Sequence, residues 1–122
     1  VKDEQTPDKA GETEELMIKQ AEAQRIQKYI NNDAILVALA IEGKEMSSED
    51  FSDFFADNEV HSNSHIQFII GGSLGIDDDL KKKSSKKISF SKMTFPHQLM
   101  RVILLEQIYR SYRIIKNEPY HK

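Results

Sequence analysis

An unbroken apolar run occupies residues 34–41, with the sequence AILVALAI. The turn-forming residues 31–33 precede it and Gly43 follows it, so the run is bounded like a strand and is shorter than a typical helix. Because every side chain in it is apolar, such a strand must be covered on both faces, which is typical of parallel sheets. The run therefore predicts a parallel sheet, and Gly43 is expected to turn the chain after it.

The remaining elements alternate with this strand along the chain. Two further strands are predicted at residues 66–70 (IQFII) and 87–91 (KISFS). Helices are predicted over residues 12–30, after the capping box that Ser47 and Asp50 resemble, after Asp77, and from Pro96 to about Lys116. The alternation predicts an α/β fold, with a mainly parallel sheet and helices on both faces.

The last predicted helix is apolar on more than one side. Its main stripe comprises Leu104, Leu105, Ile108, Tyr112 and Ile115, and the apolar residues outside that stripe are Leu99, Val102, Ile103 and Ile114. One side can cover the sheet, but a second apolar side needs a second cover. We therefore expect a homodimer. Arg101 falls within the main stripe and requires a partner, either a carboxylate, a second subunit or a phosphate.

The composition limits the class of protein. The 122 residues suffice for a single domain spanning 1–122. The absence of cysteine excludes disulfide scaffolds, cysteine zinc sites and thiol catalysis. No apolar run reaches the length of a membrane helix, and the first residues, VKDE, do not resemble a signal peptide. We therefore expect a soluble, cytoplasmic protein.

The charge is unevenly distributed, although the net charge is only −3. Residues 1–80 contain 6 Lys and Arg against 18 Asp and Glu, a balance of −12, whereas residues 81–122 contain 11 against 2, a balance of +9. Such asymmetry indicates either a polyanionic partner for the second part or attraction between the two parts. The five lysines within residues 81–87 are most simply a solvated helix end.

A glycine-rich segment, Gly71 to Gly75 (GGSLG), follows the second predicted strand and matches the G-x-S-x-G pattern of hydrolases. In that interpretation Ser73 would be the nucleophile and His97 or His121 the base. The acids at residues 77–79 lie too near Ser73 in the chain to orient either histidine, which makes a hydrolase improbable. We favour a turn that lets the backbone approach a ligand, because ligands bind beyond the carboxyl ends of parallel strands.

The histidines do not predict a metal site. His61 and His65 are four residues apart in a polar loop and are interpreted as surface residues. His97, at the start of the last helix, is more often structural in such a position than catalytic. His121 lies in the tail NEPYHK, which Pro119 stiffens, and we expect this tail to be docked on the protein.

Several segments together resemble the RlmH family of the SPOUT superfamily, whose members are ribosomal large-subunit pseudouridine N3-methyltransferases. The similar segments are Gly71–Gly75, Ser89–Leu99 (SFSKMTFPHQL), Arg101–Val102, Glu106–Arg110 (EQIYR) and Glu118–Lys122 (EPYHK). Family members begin with a further strand and helix upstream, so the resemblance implies that Val1 is not the natural beginning of the chain.

The resemblance implies a SPOUT domain whose C-terminal part is threaded into a deep trefoil knot, and a homodimer. It implies S-adenosylmethionine as the cofactor. Its contacts would be Leu39, Gly71 and the loop residues Phe90, Ser91, Lys92, Met93, Thr94 and Phe95.

The implied reaction is methylation of N3 of a pseudouridine in 23S rRNA, without a metal. His121, Tyr120 and Arg110 are the candidate catalytic residues, with His121 or Tyr120 handling the N3 proton from either subunit. Arg110, Arg113 and the lysines of residues 81–87 would bind rRNA phosphates, and Arg101 could instead organise the subunit interface. Two alternatives stay open, a hydrolase based on Ser73 and a non-catalytic RNA-binding domain.

Overall fold

The computed structural model describes residues 11–60, 65–71 and 75–121. The elements in chain order are α1 (Glu12–Gln27), β1 (Ile35–Glu45), α2 (Ser48–Val60), β2 (Ile66–Ile70), α3 (Asp78–Lys83), β3 (Lys86–Ser89) and α4 (His97–Ile115). The strands form a parallel sheet in the order β2-β1-β3. The predicted α/β class and parallel sheet are confirmed, with shorter bounds for α1 and β3.

The central strand β1 separates two apolar layers. Val37 and Leu39 pack with α2 and α4 on one face of the sheet. Leu36 and Ala38 pack on the other face with Leu80 of α3, and α1 contributes partly buried residues there. Because consecutive side chains of a strand point to opposite faces, all four positions must be apolar. The two layers show helices on both faces, as the unbroken apolar run predicts.

Side-chain caps define where the short and middle helices begin. The Asp77 carboxylate accepts hydrogen bonds from the backbone N–H groups of Asp79 and Leu80, at 3.1 and 3.4 Å. The Ser47 hydroxyl accepts one from the backbone N–H of Asp50 at 3.0 Å. Each side chain satisfies N–H groups that the first helical turn leaves without a carbonyl partner. Both helix starts predicted from these residues are confirmed.

Gly43 corrects one prediction, because it lies within β1 and does not end it. A Cβ atom at Gly43 would lie 2.8 Å from backbone atoms of Ile88, so glycine is required there for the close approach of β3. The register is irregular at this point, since both Leu39 and Lys44 align with Ile88. The intervening residues 40–43 leave the regular ladder, and this irregularity shapes the site described below.

The exposed apolar side chains also correct the predicted helix faces. Leu16 of α1 is half exposed, although its spacing predicts a core position. In α4, Leu104 is buried as predicted, but Leu105 is 65% exposed. Leu99, Val102 and Tyr109 are exposed as well, and with Leu105 they form one apolar stripe along the outer side of α4. We call these four residues the outer stripe.

Candidate active site

A cavity of about 760 Å³ lies at the carboxyl ends of the three strands. Its walls come from the end of the regular part of β1, from the segment after β2 and from the loop between β3 and α4. Parallel strands bring the segments that follow them to one edge of the sheet, which is the usual ligand position in open α/β folds. The volume is within the roughly 300–1,000 Å³ typical of small-molecule sites.

The cavity gathers most of the residues predicted to contact a cofactor. Those that line it are Leu39, Gly71, Phe90, Ser91, Met93, Thr94 and Phe95. Lys92 is exposed and is not part of the lining. Residues separated by up to 56 positions in the chain therefore meet around one space. His97, predicted as structural or catalytic, also lines it at the start of α4.

The loop between β3 and α4 is braced by its own serines. The Ser89 hydroxyl donates to the carbonyl of Ser91 at 2.9 Å, and the Ser91 hydroxyl accepts from the N–H of Met93 at 2.9 Å. The Phe90 ring packs edge-on against buried Phe51, with ring centroids 5.9 Å apart. These contacts fix the loop conformation while the Met93 side chain remains largely exposed at the cavity.

Glycine is required at position 71 because the backbone of Gly75 packs against it, where a side chain would lie. A Cβ atom there would lie 2.5 Å from the carbonyl carbon of Gly75 and 2.8 Å from the Ile76 side chain. Gly75 has φ = 89°, in the left-handed region that favours glycine. Gly71 and Gly75, the two ends of the predicted turn, thus lie in close contact. Ser73, the nucleophile of the hydrolase alternative, lies outside the described residues.

A charged group at the cavity was missed by the sequence analysis. Lys81 of α3 forms an ion pair with Glu42 at 2.5 Å and a longer one with Asp78 at 3.3 Å. The hydrogen bond from Lys81 lowers the pKa of Glu42, and the same bond raises the pKa of Lys81. Lys81 is therefore not a solvated lysine, as predicted for residues 81–87. Its ion pair with Glu42 connects α3 to the irregular part of β1. Lys19 of α1 also lines the cavity.

The predicted catalytic residues Arg110, Tyr120 and His121 lie together in a second cluster. We call this cluster, with their partners Glu49 and Glu106, the tail cluster. Arg110 forms an ion pair with Glu106 at 2.6 Å and lies over the Tyr120 ring, 4.8 Å from its centroid. His121 lies 3.0 Å from Arg110 through Nδ1 and 2.5 Å from Glu49 through Nε2. The tail is therefore docked, as predicted, and Glu49 and Glu106 are its unpredicted partners.

The carboxylates of the tail cluster are stabilised in their charged form. The hydrogen bond from His121 lowers the pKa of Glu49. The hydrogen bond from Arg110 lowers the pKa of Glu106 and raises the pKa of Arg110. Tyr120 adds a hydroxyl donor to Glu106 at 3.3 Å. These are exposed or half-exposed groups, so solvent screens their interactions.

The tail cluster and the cavity occupy different parts of one protomer. Met100 lines the cavity, whereas Arg110 lies ten residues further along the same helix. The helical rise of 1.5 Å per residue separates the two positions by about 15 Å. None of the tail-cluster residues lines the cavity. The structure thus brings the cofactor candidates together and the catalytic candidates together, but not the two sets.

Some of the side chains predicted to bind phosphate already have a partner within the described protomer, and others do not. Arg113 forms an ion pair with Glu118 at 2.6 Å, and Lys86 lies 4.8 Å from the centroid of the Phe54 ring. Arg101 of α4 is exposed, and within the described residues it has no ion pair. Its predicted need for a partner is therefore not met inside the described protomer.

The described parts of the chain contain neither a candidate metal cluster nor a membrane-spanning helix. Among the residues that the structure describes, no three His, Asp or Glu side chains come together as a metal site would require. His65 is exposed, and its Nδ1 lies 3.3 Å from the Asn31 amide nitrogen, whereas His61 lies outside the described residues. No helix in the described ranges is both long and apolar enough to cross a membrane.

Comparison with known proteins gives consistent similarities. A family model described as "Predicted SPOUT methyltransferase" matches residues 1–121. The ribosomal RNA large subunit methyltransferases H of Bifidobacterium adolescentis, Clostridium kluyveri and Clostridium tetani are 57%, 54% and 52% identical to this chain. Each alignment spans 122 residues, which is all of this chain and 77% of the relative.

Proposed function

The chain belongs to the SPOUT methyltransferase family and, within it, to the RlmH family of ribosomal RNA large subunit methyltransferases, and from this premise we propose its reaction. The reaction is transfer of a methyl group from S-adenosylmethionine to N3 of a pseudouridine in 23S rRNA. The observation that carries the proposal is the cavity at the strand ends, because it is built from the segments to which the family resemblance assigns cofactor binding.

The residues around the cavity fit such a cofactor. Leu39, Phe90 and Phe95 offer apolar surface to enclose an adenine ring, and the segments at Gly71 and residues 90–95 offer backbone groups for hydrogen bonds to it. When bound, S-adenosylmethionine supplies a methyl group on a positively charged sulfur, which a nucleophilic nitrogen can attack. We assign Leu39, Gly71 and Phe90 to Phe95 to cofactor binding, Lys92 being included on family resemblance alone.

The tail cluster has the chemistry that the other half of the reaction needs. N3 of pseudouridine carries an imide proton, which must leave before the nitrogen lone pair can attack. His121 and Tyr120 are the proposed groups that receive or guide this proton, and Arg110 is proposed to hold the substrate beside them. Because about 15 Å separates Arg110 from the cavity in one protomer, the tail is proposed to act at the cavity of a partner subunit.

A homodimer is proposed on the same grounds and on the outer stripe of α4. Val102 and Leu105 in that stripe are 62% and 65% exposed. A contiguous apolar face on a helix is stabilised when a second surface covers it. Arg101 lies on the same exposed side of α4, where a carboxylate or phosphate contributed by the assembly would pair with it.

Family membership also supports a proposal for the finer features of the fold. We propose that residues 1–122 form one SPOUT domain and that the C-terminal part is threaded as a deep trefoil knot. Two features are compatible with the knot: the segment between β3 and α4 lines the cavity, and the tail returns to α2 through His121 and Glu49.

The rRNA contacts are proposed to come from the basic second part of the chain. Residues 81–122 have a balance of +9, which suits phosphate groups. Arg110, Arg113 and the lysines of residues 81–87 are the proposed contacts, apart from Lys81, which is paired with Glu42 at the cavity. A ribosomal substrate would also place the protein in the cytoplasm.

The proposal is tested by methylation of rRNA in vitro. Ribosomes or 23S rRNA lacking the modification are incubated with the chain and S-adenosylmethionine, and the products are digested and analysed by mass spectrometry. We expect a mass increase of one methyl group on a single pseudouridine-containing fragment. A methyl group on another nucleotide, or none, would contradict the proposed specificity or the proposed activity, respectively.

A further inference from the structure

The His121 ring has a partner at each of its two nitrogens. Nδ1 lies 3.0 Å from Nη1 of Arg110, and Nε2 lies 2.5 Å from Oε1 of Glu49. Arg110 comes from α4 and Glu49 from the first turn of α2, so the ring is held between two helices. The ring is about three-quarters buried, whereas the Glu49 side chain is mostly exposed.

The chemistry of these partners fixes which ring nitrogen carries the proton. A guanidinium group donates hydrogen bonds and accepts none, so Nδ1 must accept and therefore carries no proton. A carboxylate only accepts, so Nε2 must donate and carries the proton. These two contacts match the Nε2–H tautomer of His121, with the lone pair of Nδ1 directed at Arg110.

We propose that Glu49 is a positioning residue for the tail, which holds His121 in this tautomer so that Nδ1 is the atom that receives the substrate proton. This inference rests on the proposed function and extends it to α2, a helix that contributes no residue to the cavity. Glu49 acts through His121 and does not itself touch the substrate.

A second contact keeps Glu49 and Arg110 in a fixed relation. The Ser48 hydroxyl donates to Oε1 of Gln107 at 2.7 Å, which connects the residue before Glu49 to the turn of α4 that carries Arg110. Arg110 is in turn oriented by Glu106, through Nε at 2.8 Å. The distance between the two partners of His121 is therefore set by helix packing, and the tail residue fits between them.

The arrangement gives Arg110 two successive roles in proton transfer. With no substrate, its guanidinium covers Nδ1 of His121. When Arg110 turns to a phosphate of the rRNA, Nδ1 becomes free to bind a proton. The N3–H bond of the pseudouridine then breaks and an Nδ1–H bond forms, while the electron pair left on N3 attacks the methyl carbon and the bond from that carbon to sulfur breaks. The Glu49 carboxylate stabilises the positive imidazole that results.

The test is a double-mutant cycle on methyl transfer with the full chain. Glu49→Ala is measured alone and with His121→Gln, and Glu59→Gln, an exposed change on the same helix, is the control. We expect Glu49→Ala to lower kcat about 10- to 100-fold with KM within twofold, part of the 10²- to 10⁴-fold that a positioned base supplies. When His121→Gln is already present, Glu49→Ala should lower kcat by less than about twofold. The control Glu59→Gln should lower kcat by less than about twofold both in the wild-type chain and in the His121→Gln variant.

An activity-independent measurement accompanies it. The ¹⁵N NMR signals of the His121 ring, assigned by their loss in His121→Gln, should show a bare Nδ1 and a proton on Nε2 that is protected from solvent exchange. Glu49→Ala should abolish the protection and Glu59→Gln should preserve it. An equal loss of kcat from Glu49→Ala with or without His121, or a proton on Nδ1, would overturn the proposal.

Failure of the proposed function is recognised separately. A wild-type chain that transfers no methyl group contradicts the proposed function, and the NMR measurement still decides whether Glu49 holds the ring.

Discussion

At the residue scale, Gly71 shows most clearly why one position at the cavity accepts only glycine. The space that a Cβ atom would need is already occupied by the backbone of Gly75. Backbone atoms cannot move aside as the end of a flexible side chain can. The glycine therefore permits the close approach of Gly75, which shapes this part of the proposed cofactor site.

Substitution of Gly71 by alanine should destabilise the chain and weaken cofactor binding together. Overpacking of this kind costs about 1–3 kcal/mol in free energy of unfolding. Gly11→Ala is the control, since among the described residues no heavy atom beyond its chain neighbours lies within 4 Å of an added Cβ, and it should cost only about 0.5 kcal/mol as a helix-cap change. Thermal unfolding and calorimetric titration with S-adenosylmethionine measure both effects. Equal stabilities of the two variants would refute the steric interpretation.

The proposed role of His121 predicts a selective loss. His121→Ala should lower the rate of methyl transfer while the affinity for S-adenosylmethionine stays within about twofold of wild type, because the tail is proposed to act on the substrate proton and the predicted cofactor contacts come from other segments. Single-turnover kinetics and calorimetry separate the two quantities. Unchanged turnover in this variant would remove the tail from the mechanism.

The contacts of an individual residue can be predicted from the sequence only where its partner lies nearby in the chain. The cap at Ser47 and the helix start at Asp77 follow from side chains next to each helix start, and both are present. Glu49 and Glu42 could not be identified in the same way, because their partners lie 72 and 39 residues away in the chain. The prediction of a turn at Gly43 is wrong for the same reason, since the backbone that packs against this glycine belongs to β3, far along the chain.

At the scale of elements, α4 has two apolar sides, one packed on the core and one exposed. Leu104 faces the core, while the outer stripe faces solvent in the protomer. The apolar content of α4 predicts that two sides need cover, but the spacing alone did not show on which side Leu105 lies. The choice depends on how the helix rotates against the sheet, which distant residues of β1 and α2 determine.

A charged residue in the outer stripe should separate the proposed dimer. Leu105→Glu would bury a charge without a partner in the interface, which is strongly unfavourable. Met17→Glu is the matched control, because Met17 of α1 is equally exposed at 65%. Sedimentation velocity should show a monomer for Leu105→Glu and a dimer for wild type and Met17→Glu. A dimer that survives Leu105→Glu would place the interface elsewhere.

Docking of the tail on α4 should weaken in acid. The pKa of Glu106 is lowered by Arg110, so its contribution to stability is present above the unfolded pKa of about 4.3 and is lost as the pH falls through its lower folded value. Glu106→Gln should therefore lower the Tm at pH 7 and have little effect at about pH 3. Thermal unfolding across this range measures the difference, and a difference that grows toward low pH would contradict the sign.

At the scale of the whole molecule, the cavity and the tail cluster are two halves of one proposed site. Each half is well ordered by contacts within the protomer, yet no described contact joins them. A second subunit is the simplest way to bring them together, and the outer stripe provides a surface for it.

Mixed dimers distinguish action across subunits from action within one. One chain carries Thr94→Trp to fill the cavity, and the other carries His121→Ala. If the tail acts on the partner, mixing the two inactive variants creates one site with both halves intact and should restore up to about half of the activity per mixed dimer. Activity that stays at background after subunit exchange would show that each tail serves its own cavity.

The general class of the fold could be read from the sequence because the 34–41 run and the alternation of elements are local patterns. The position of the cavity also follows, since parallel strands end at one edge. The irregular register at residues 40–43 and the separation of the tail from the cavity depend on tertiary packing. Periodicity carries no information about either.

The most direct measurement is a calorimetric titration of the intact chain with S-adenosylmethionine, repeated with Thr94→Trp. We expect saturable binding at one site per chain and its loss when the tryptophan fills the space between β1 and the loop before α4. A titration without heat at several temperatures, or unchanged binding in the filled variant, would show that this space is not where the methyl donor binds.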